Sequence, residues 1–182
     1  MGAGLGGGSS DAAFTLKILN EKFELGLSSD HLIKYALELG SDCPFFIVNQ
    51  PCLAKGRGEE LQKIDLDLSG YSFVLVNPGI HIDTGWAFSS IEVKPLKETF
   101  NLDEIVQKPI EQWKDILRNS FEEMVAISNP IIGEIKHILY EKGAVYASMT
   151  GSGSTVFGIF THPVDLEHSF PAAFYVKNVP VI

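Results

Sequence analysis

The sequence predicts an α+β fold in two parts, and three observations carry that prediction. β-branched and aromatic runs at Tyr71–Val76, Ala144–Met149 and Thr155–Phe160 read as strands. Apolar residues at 3.6-type spacing in Asp11–Phe23 and Ile131–Glu141 read as helices. The two kinds are interleaved with no long repeat, and Asp65–Gly70 offers the best boundary, which divides the chain into 1–68 and 69–182.

Element by element, Ala12, Ala13, Leu16, Leu19 and Phe23 line one face of the first helix, with Ser9 or Ser10 to cap it. Ser28-Ser29-Asp30 caps a second helix carrying Leu32, Ile33, Ala36 and Leu37, and Gly40 stops it. Cys43-Pro44 is expected to turn the chain into a short strand, Phe45–Val48, with Leu53–Leu61 as its hairpin partner. Tyr71–Val76 is the clearest strand and ends at Asn77-Pro78-Gly79. Helices are expected over Thr84–Ser90, Leu102–Gln107 and Gln112–Ala126, and Pro130 suits the first turn of the helix that Gly143 ends. A hairpin through Thr150–Ser154, a short helix near Asp165 and a strand over Phe174–Val179 complete the chain.

Composition narrows the function. The 182 residues include 45% hydrophobic and 20% charged side chains, an ordinary globular balance. The formal net charge is −9 and no Lys/Arg cluster appears, which argues against a nucleic-acid partner. A phosphate ligand must then be held locally, by backbone amides, one or two cations or a metal. Cys43 and Cys52 match no zinc spacing and read as reduced thiols of a cytoplasmic protein. No apolar run approaches the roughly 20 residues of a membrane helix, so no membrane partner is expected.

The chain opens with GAGLGGGSSDAA. Gly2-Ala3-Gly4-Leu5-Gly6-Gly7 matches G-x-G-x-x-G literally, but a dinucleotide site needs a preceding strand and an acid after the next one. Glu24 follows a helix instead. A P-loop needs Gly-Lys-Ser/Thr, and here Gly8-Ser9-Ser10 has no lysine. The shared physics remains: glycines let the backbone approach a ligand, and the following helix N-terminus favours an anion. Ser9 and Ser10 add hydroxyls for a phosphate oxygen or a magnesium water. The competing reading is a flexible Gly/Ser tail.

This stretch resembles the ATP-binding motif of the GHMP kinases. The resemblance implies ATP and Mg2+ as cofactors, with Gly2, Ala3, Gly4, Leu5, Gly6, Gly7, Gly8, Ser9 and Ser10 forming the nucleotide loop. Gly40-Ser41-Asp42-Cys43-Pro44-Phe45-Phe46 is similar to the family segment that carries a catalytic aspartate, which makes Asp42 the candidate base. Read alone, Asp42 is a turn cap before Pro44. Thr150-Gly151-Ser152-Gly153-Ser154 resembles the family's C-terminal glycine motif, although a plain glycine hairpin gives the same pattern. Pro78–Phe88 resembles a segment lining a cytidine site, with Thr84 near the substrate and Phe88 flanking the base. The substrate-side residues are thus Thr84, Phe88, Gly151, Ser152 and Gly153. Trp86 reads as core and His81 as a loop residue.

The doubled serine before Asp-Ala-Ala points within the family to phosphorylation of the 2-hydroxyl of a cytidine-diphosphate-linked methylerythritol, a step of non-mevalonate isoprenoid biosynthesis. Alternatives are a homoserine- or mevalonate-type kinase, or a non-catalytic domain that binds a nucleotide or a partner. The implied fold is a partial ribosomal S5 domain 2-like domain followed by a ferredoxin-like one, with the site between them. The family's catalytic lysine segment, resembling Pro-Ala-Lys-Ile-Asn-Leu, is absent from these residues. The chain is therefore expected to lack an N-terminal portion, to transfer no phosphate alone and to hold Met1–Gly8 disordered or displaced. Unpaired sheet edges and exposed apolar surface are expected to follow, with dimerisation through an open edge.

Overall fold

Short apolar runs become helix or strand according to what punctuates them, and the first unit shows this well. The computed structural model describes residues 3–91 and 101–180. They fall into two compact units, one of Gly6–Leu66 and one of residues 3–5 with residues 67–180.

In the first unit, α1 (Gly7–Lys22) begins about one turn of glycine and serine earlier than its apolar spacing suggests. Gly6 caps it in the left-handed region at φ 65°, a conformation glycine adopts without strain. α2 (Ser29–Leu39) is capped by the Ser28 hydroxyl, which accepts from the His31 amide, and Gly40 ends it. Residues 43–48 are not a strand. They form α3 (Cys43–Val48), because Pro44 suits a first helical turn and Asn49 closes the helix in the left-handed region at φ 49°. The expected partner strand pairs within itself instead: β1 (Cys52–Lys55) runs antiparallel to β2 (Glu60–Lys63), with Cys52 opposite Lys63 and Lys55 opposite Glu60. Gly56 and Gly58, at φ 66° and 117°, make the turn that joins them.

The core of this unit is small. Ala13, Leu32, Ala36, Cys43 and Ile47 are buried together, with Ala12, Leu16, Leu27, Ile33 and Phe46 packed against them. Lys17 ties α1 to the end of α3 by donating to the Phe46 carbonyl at 2.9 Å. Apolar side chains also face outward: Phe14, Ile18 and Leu19 on α1 with Phe23 at its C-terminal cap, and Tyr35, Leu37 and Leu39 on α2.

The second unit holds an antiparallel four-stranded sheet in the order β4-β5-β3-β6. β3 (Ser72–Asn77) is followed by α4 (Thr84–Ser90), α5 (Leu102–Val106), α6 (Trp113–Ile116), α7 (Glu122–Ser128) and α8 (Ile131–Glu141). Then come β4 (Tyr146–Met149), β5 (Val156–Phe160) and β6 (Tyr175–Pro180). Numbering the four strands along the chain gives 2-3-1-4, which reversed is the 4-1-3-2 order of the ferredoxin-like split β-α-β. A 3-10 turn, Glu167–Ser169, stands where that pattern has its second helix. Ile132, Ile135 and Leu139 of α8 bury against Val74, Val76, Ala147, Met149, Val156 and Phe160 of the sheet.

The helix expected over Gln112–Ala126 is broken. It becomes a 3-10 turn (Ile110–Gln112), α6 and α7, with Leu117 extended. Asn119 lies in the break, where its side chain bonds backbone instead of leaving it to a helix. No helix among the described residues is long and apolar enough to cross a membrane.

Candidate functional site

The glycine stretch is not displaced. Residues 3–8 are ordered, whereas Met1 and the candidate residue Gly2 lie outside the described residues. Residues 3–5 lie on the 150–154 loop within the second unit, and Thr155 donates its amide to the Ala3 carbonyl at 3.3 Å. Gly4 sits at φ 73°, and a Cβ there would stand 2.4 Å from the Thr150 carbonyl oxygen. On the other side of the contact, a Cβ at Gly151 would come within 3.4 Å of the Gly4 carbonyl oxygen. Gly4 is thus what allows the two backbones to meet, whereas Gly151 has room for a side chain and is favoured there by its φ of 49°. Thr150 Oγ1 is buried there without a hydrogen-bond partner among the described residues.

The chain enters the first unit at Gly6, and the mouth of α1 is built from Gly7, Gly8, Ser9 and Ser10. Ser10 donates to the Gly6 carbonyl at 2.9 Å, which closes the first helical turn. The amides of Gly7, Gly8 and Ser9 therefore have no helical acceptor. No carboxylate stands in that turn, and a Cβ at Gly7 would meet nothing within 4 Å. Open space faces three outward amides at the positive end of a 16-residue helix, an arrangement that fits a phosphate. Gly6 backs onto Phe46, whose ring would be 3.0 Å from a Cβ at that position.

Asp42 precedes α3 in the same unit. It is exposed, and its carboxylate makes no cap hydrogen bond to that helix, so it is not the turn cap its position suggests. The turn between β1 and β2 approaches it: a Cβ at Gly58 would stand 2.8 Å from Asp42 Oδ1. Ser41-Asp42 thus packs beside the hairpin tip with its carboxylate oxygens open to solvent.

On the second unit, Thr84 and Ser152 come together although 68 residues separate them, with their hydroxyls 3.3 Å apart. Asp83 caps α4 by accepting from the Trp86 amide at 2.6 Å. Phe88 is 65% exposed and touches Phe121 edge-on at 4.9 Å between ring centroids. Most of that side chain is open to solvent. Gly151 is exposed and Ser152 half-buried, but Gly153 is buried, where a Cβ would stand 2.8 Å from the Met149 sulfur. Trp86 is not core: it is exposed, and Ala87 is the buried residue of α4. His81 is exposed.

Two residues of this region escape a reading by motif. Asn119 donates to the carbonyls of Met149 and Gly151 at 2.7 and 2.8 Å. Glu122 accepts from the Met149 amide at 2.8 Å and from the Ser148 hydroxyl at 3.1 Å, and pairs with Lys136. The only sequence signal for them is an Asn in the middle of an otherwise helical run. Among the described residues no group of three or more His, Cys, Asp or Glu side chains could hold a metal.

Known proteins resemble the chain along most of its length. The model described as GHMP kinases N terminal domain matches residues 1–50, and the one described as GHMP kinases C terminal matches residues 101–175. A 4-diphosphocytidyl-2-C-methyl-D-erythritol kinase of Bacteroides thetaiotaomicron is 51% identical over 178 residues, which are 98% of this chain and 63% of that protein. The protein of the same name from Bacteroides fragilis is 49% identical over 174 residues, 95% of this chain and 63% of its own length. The chain thus spans somewhat under two thirds of these curated relatives. A crystal structure of 4-(cytidine 5'-diphospho)-2C-methyl-D-erythritol kinase superposes over all of this chain and 68% of its own, with a TM-score of 0.80 and 26% identity. Homoserine kinase from Cytophaga hutchinsonii shares the fold, with a TM-score of 0.71 at 16% identity over all of this chain and 67% of its own.

Proposed function

The chain belongs to the GHMP kinase family, and from that premise we propose that it serves ATP-dependent phosphorylation of the 2-hydroxyl of 4-diphosphocytidyl-2-C-methyl-D-erythritol. The observation that carries the donor side is the mouth of α1, with its open glycine turn and three amides without helical acceptors. The acceptor is argued from relatives of that name at about half identity. Residues 1–68 belong, in this reading, to the nucleotide-binding part and 69–182 to the C-terminal domain.

ATP supplies the phosphoryl group. Residues 2–8 with Ser9 and Ser10 hold its phosphates through backbone amides and two hydroxyls, a local device suited to a chain of net charge −9. Mg2+ would enter with the nucleotide, whose phosphates supply much of its usual coordination. Asp42 orients the acceptor hydroxyl and takes its proton late, since phosphoryl transfer depends mostly on positioning and charge neutralisation. Thr84, Gly151, Ser152 and Gly153 shape the acceptor side. Phe88 offers its exposed ring to the cytosine. Two free cysteines suit a cytoplasmic setting.

Titration of the isotope-labelled 182-residue chain with ATP, followed by amide resonances, tests the reading. Shifts are expected at Gly7–Ser10 with ATP and at Thr84 and Phe88 with the cytidine-linked alcohol. Homoserine and mevalonate complete the panel. No response at Gly7–Ser10 to saturating ATP would sink the donor site. In a chain extended to the relatives' length, Asp42→Asn is expected to lower transfer about a hundredfold or more while leaving ATP binding intact.

A further inference from the structure

β4 is an edge strand, and an edge strand normally leaves every second pair of backbone groups unpaired. Here side chains take all of them over two pleats. The Tyr140 hydroxyl accepts from the Ala147 amide at 3.1 Å and donates to the Ala147 carbonyl at 3.3 Å. One pleat on, Glu122 accepts from the Met149 amide and Asn119 donates to the Met149 carbonyl. Asn119 then reaches past the strand end and donates its second hydrogen to the Gly151 carbonyl.

That last bond lies outside the strand, in the 150–154 loop. The Asn119 amide cannot be reversed, because its Oδ1 accepts from the Phe121 amide at 2.9 Å and its two hydrogens each meet a carbonyl. One planar group therefore fixes two carbonyls two residues apart. The loop's own bonds, Gly153 to Thr150 and Thr150 to Thr155, hold its neck but leave Gly151 without a tie inside the loop.

We propose that Asn119 and Glu122 are positioning residues for the 150–154 loop. They fix Met149 and Gly151 so that the outward edge of Gly151–Ser152, which includes the hydroxyl facing Thr84, is ordered before any ligand arrives. The assignment builds on the nucleotide-and-alcohol reading above, in which this loop faces substrate. Preorganisation of this kind removes an ordering cost from binding. The chemistry of Asn119 predicts a sharp asymmetry between variants. Asn119→Asp keeps the volume but sets a carboxylate oxygen against two carbonyls. Glu122→Gln keeps an oxygen to accept from Met149, whereas Glu122→Ala does not.

The test is amide hydrogen exchange of the 182-residue chain, read residue by residue beside its melting curve, with ATP and the cytidine-linked alcohol titrated in parallel. In Asn119→Asp and Glu122→Ala, the Thr150 and Gly153 amides are expected to exchange at least tenfold faster, with Val74, Val76 and Phe160 unchanged. Glu122→Gln is expected to restore the wild-type rates. Binding of the cytidine-linked alcohol should weaken about tenfold in Asn119→Asp. Unchanged loop exchange in Asn119→Asp would overturn the proposal, as would a uniform rise across the sheet. If the wild-type chain binds neither ligand, the functional reading fails and the exchange pattern still decides whether these residues order the loop.

Discussion

Tyr146 donates its hydroxyl to the Leu117 carbonyl at 3.2 Å from a nearly fully buried position on β4. Burial pushes its phenol up to about 12 from the usual 10, with smaller pushes from Tyr140 and Glu122 and a partial offset from the Ser148 hydroxyl. The protonated form is the one the fold favours, so this stabilisation is complete below pH 10 and disappears as pH rises toward 12. Absorbance titration is expected to show one tyrosine ionising late, and Tyr146→Phe is expected to flatten the fall in stability over that window. A late tyrosine that persists in the Phe variant would contradict this. At this scale the sequence displays types but not pairings. Gly4 was read as a glycine that lets the backbone approach a ligand, and its close neighbour in the fold is the Thr150 carbonyl, far along the chain. Thr84 and Ser152 each stood out within a motif, but nothing local said their hydroxyls meet.

Elements with their own punctuation were readable, and those decided by packing were not. Ser28 and Gly40 bracket α2 as their types require, and Pro130 and Gly143 do the same for α8. Ser28→Ala is expected to cost about 1 kcal/mol, seen as a lower urea midpoint for the first unit by far-ultraviolet circular dichroism. A change under a few tenths would mean that the cap is replaced by water. Phe45–Val48 reads as a strand because a short apolar run has no period of its own. Pro44 and the buried Cys43 and Ile47 settle it as helix. The break between α6 and α7 was hidden for a different reason. Periodicity counts apolar positions, and the decisive bonds are those of one polar side chain with a loop 30 residues away.

For the whole molecule, the mixed architecture and the nucleotide-loop family were both legible, because four separated motifs occur in one order. The outward apolar side chains of α1 and α2 were anticipated as a class, although only the fold says which residues they are. Ile18 and Phe23 are 58% and 61% exposed. Contiguous exposed apolar surface promotes association, and exposed positions tolerate polar substitution within about 0.5 kcal/mol. The 182-residue chain is therefore expected to grow in hydrodynamic radius with concentration. Ile18→Glu with Phe23→Ser is expected to suppress that growth without moving the melting temperature, as light scattering and calorimetry would show. Backbone pairing through the sheet of the second unit is limited in a different way. Its sheet has two borders, and Tyr140, Glu122 and Asn119 occupy the hydrogen-bonding groups of one, whereas no described strand lies beyond β6 at the other. A ladder of added strands needs two free borders on every copy. With the β4 border occupied, a continuous ladder of strands running through this sheet from copy to copy has no place to form.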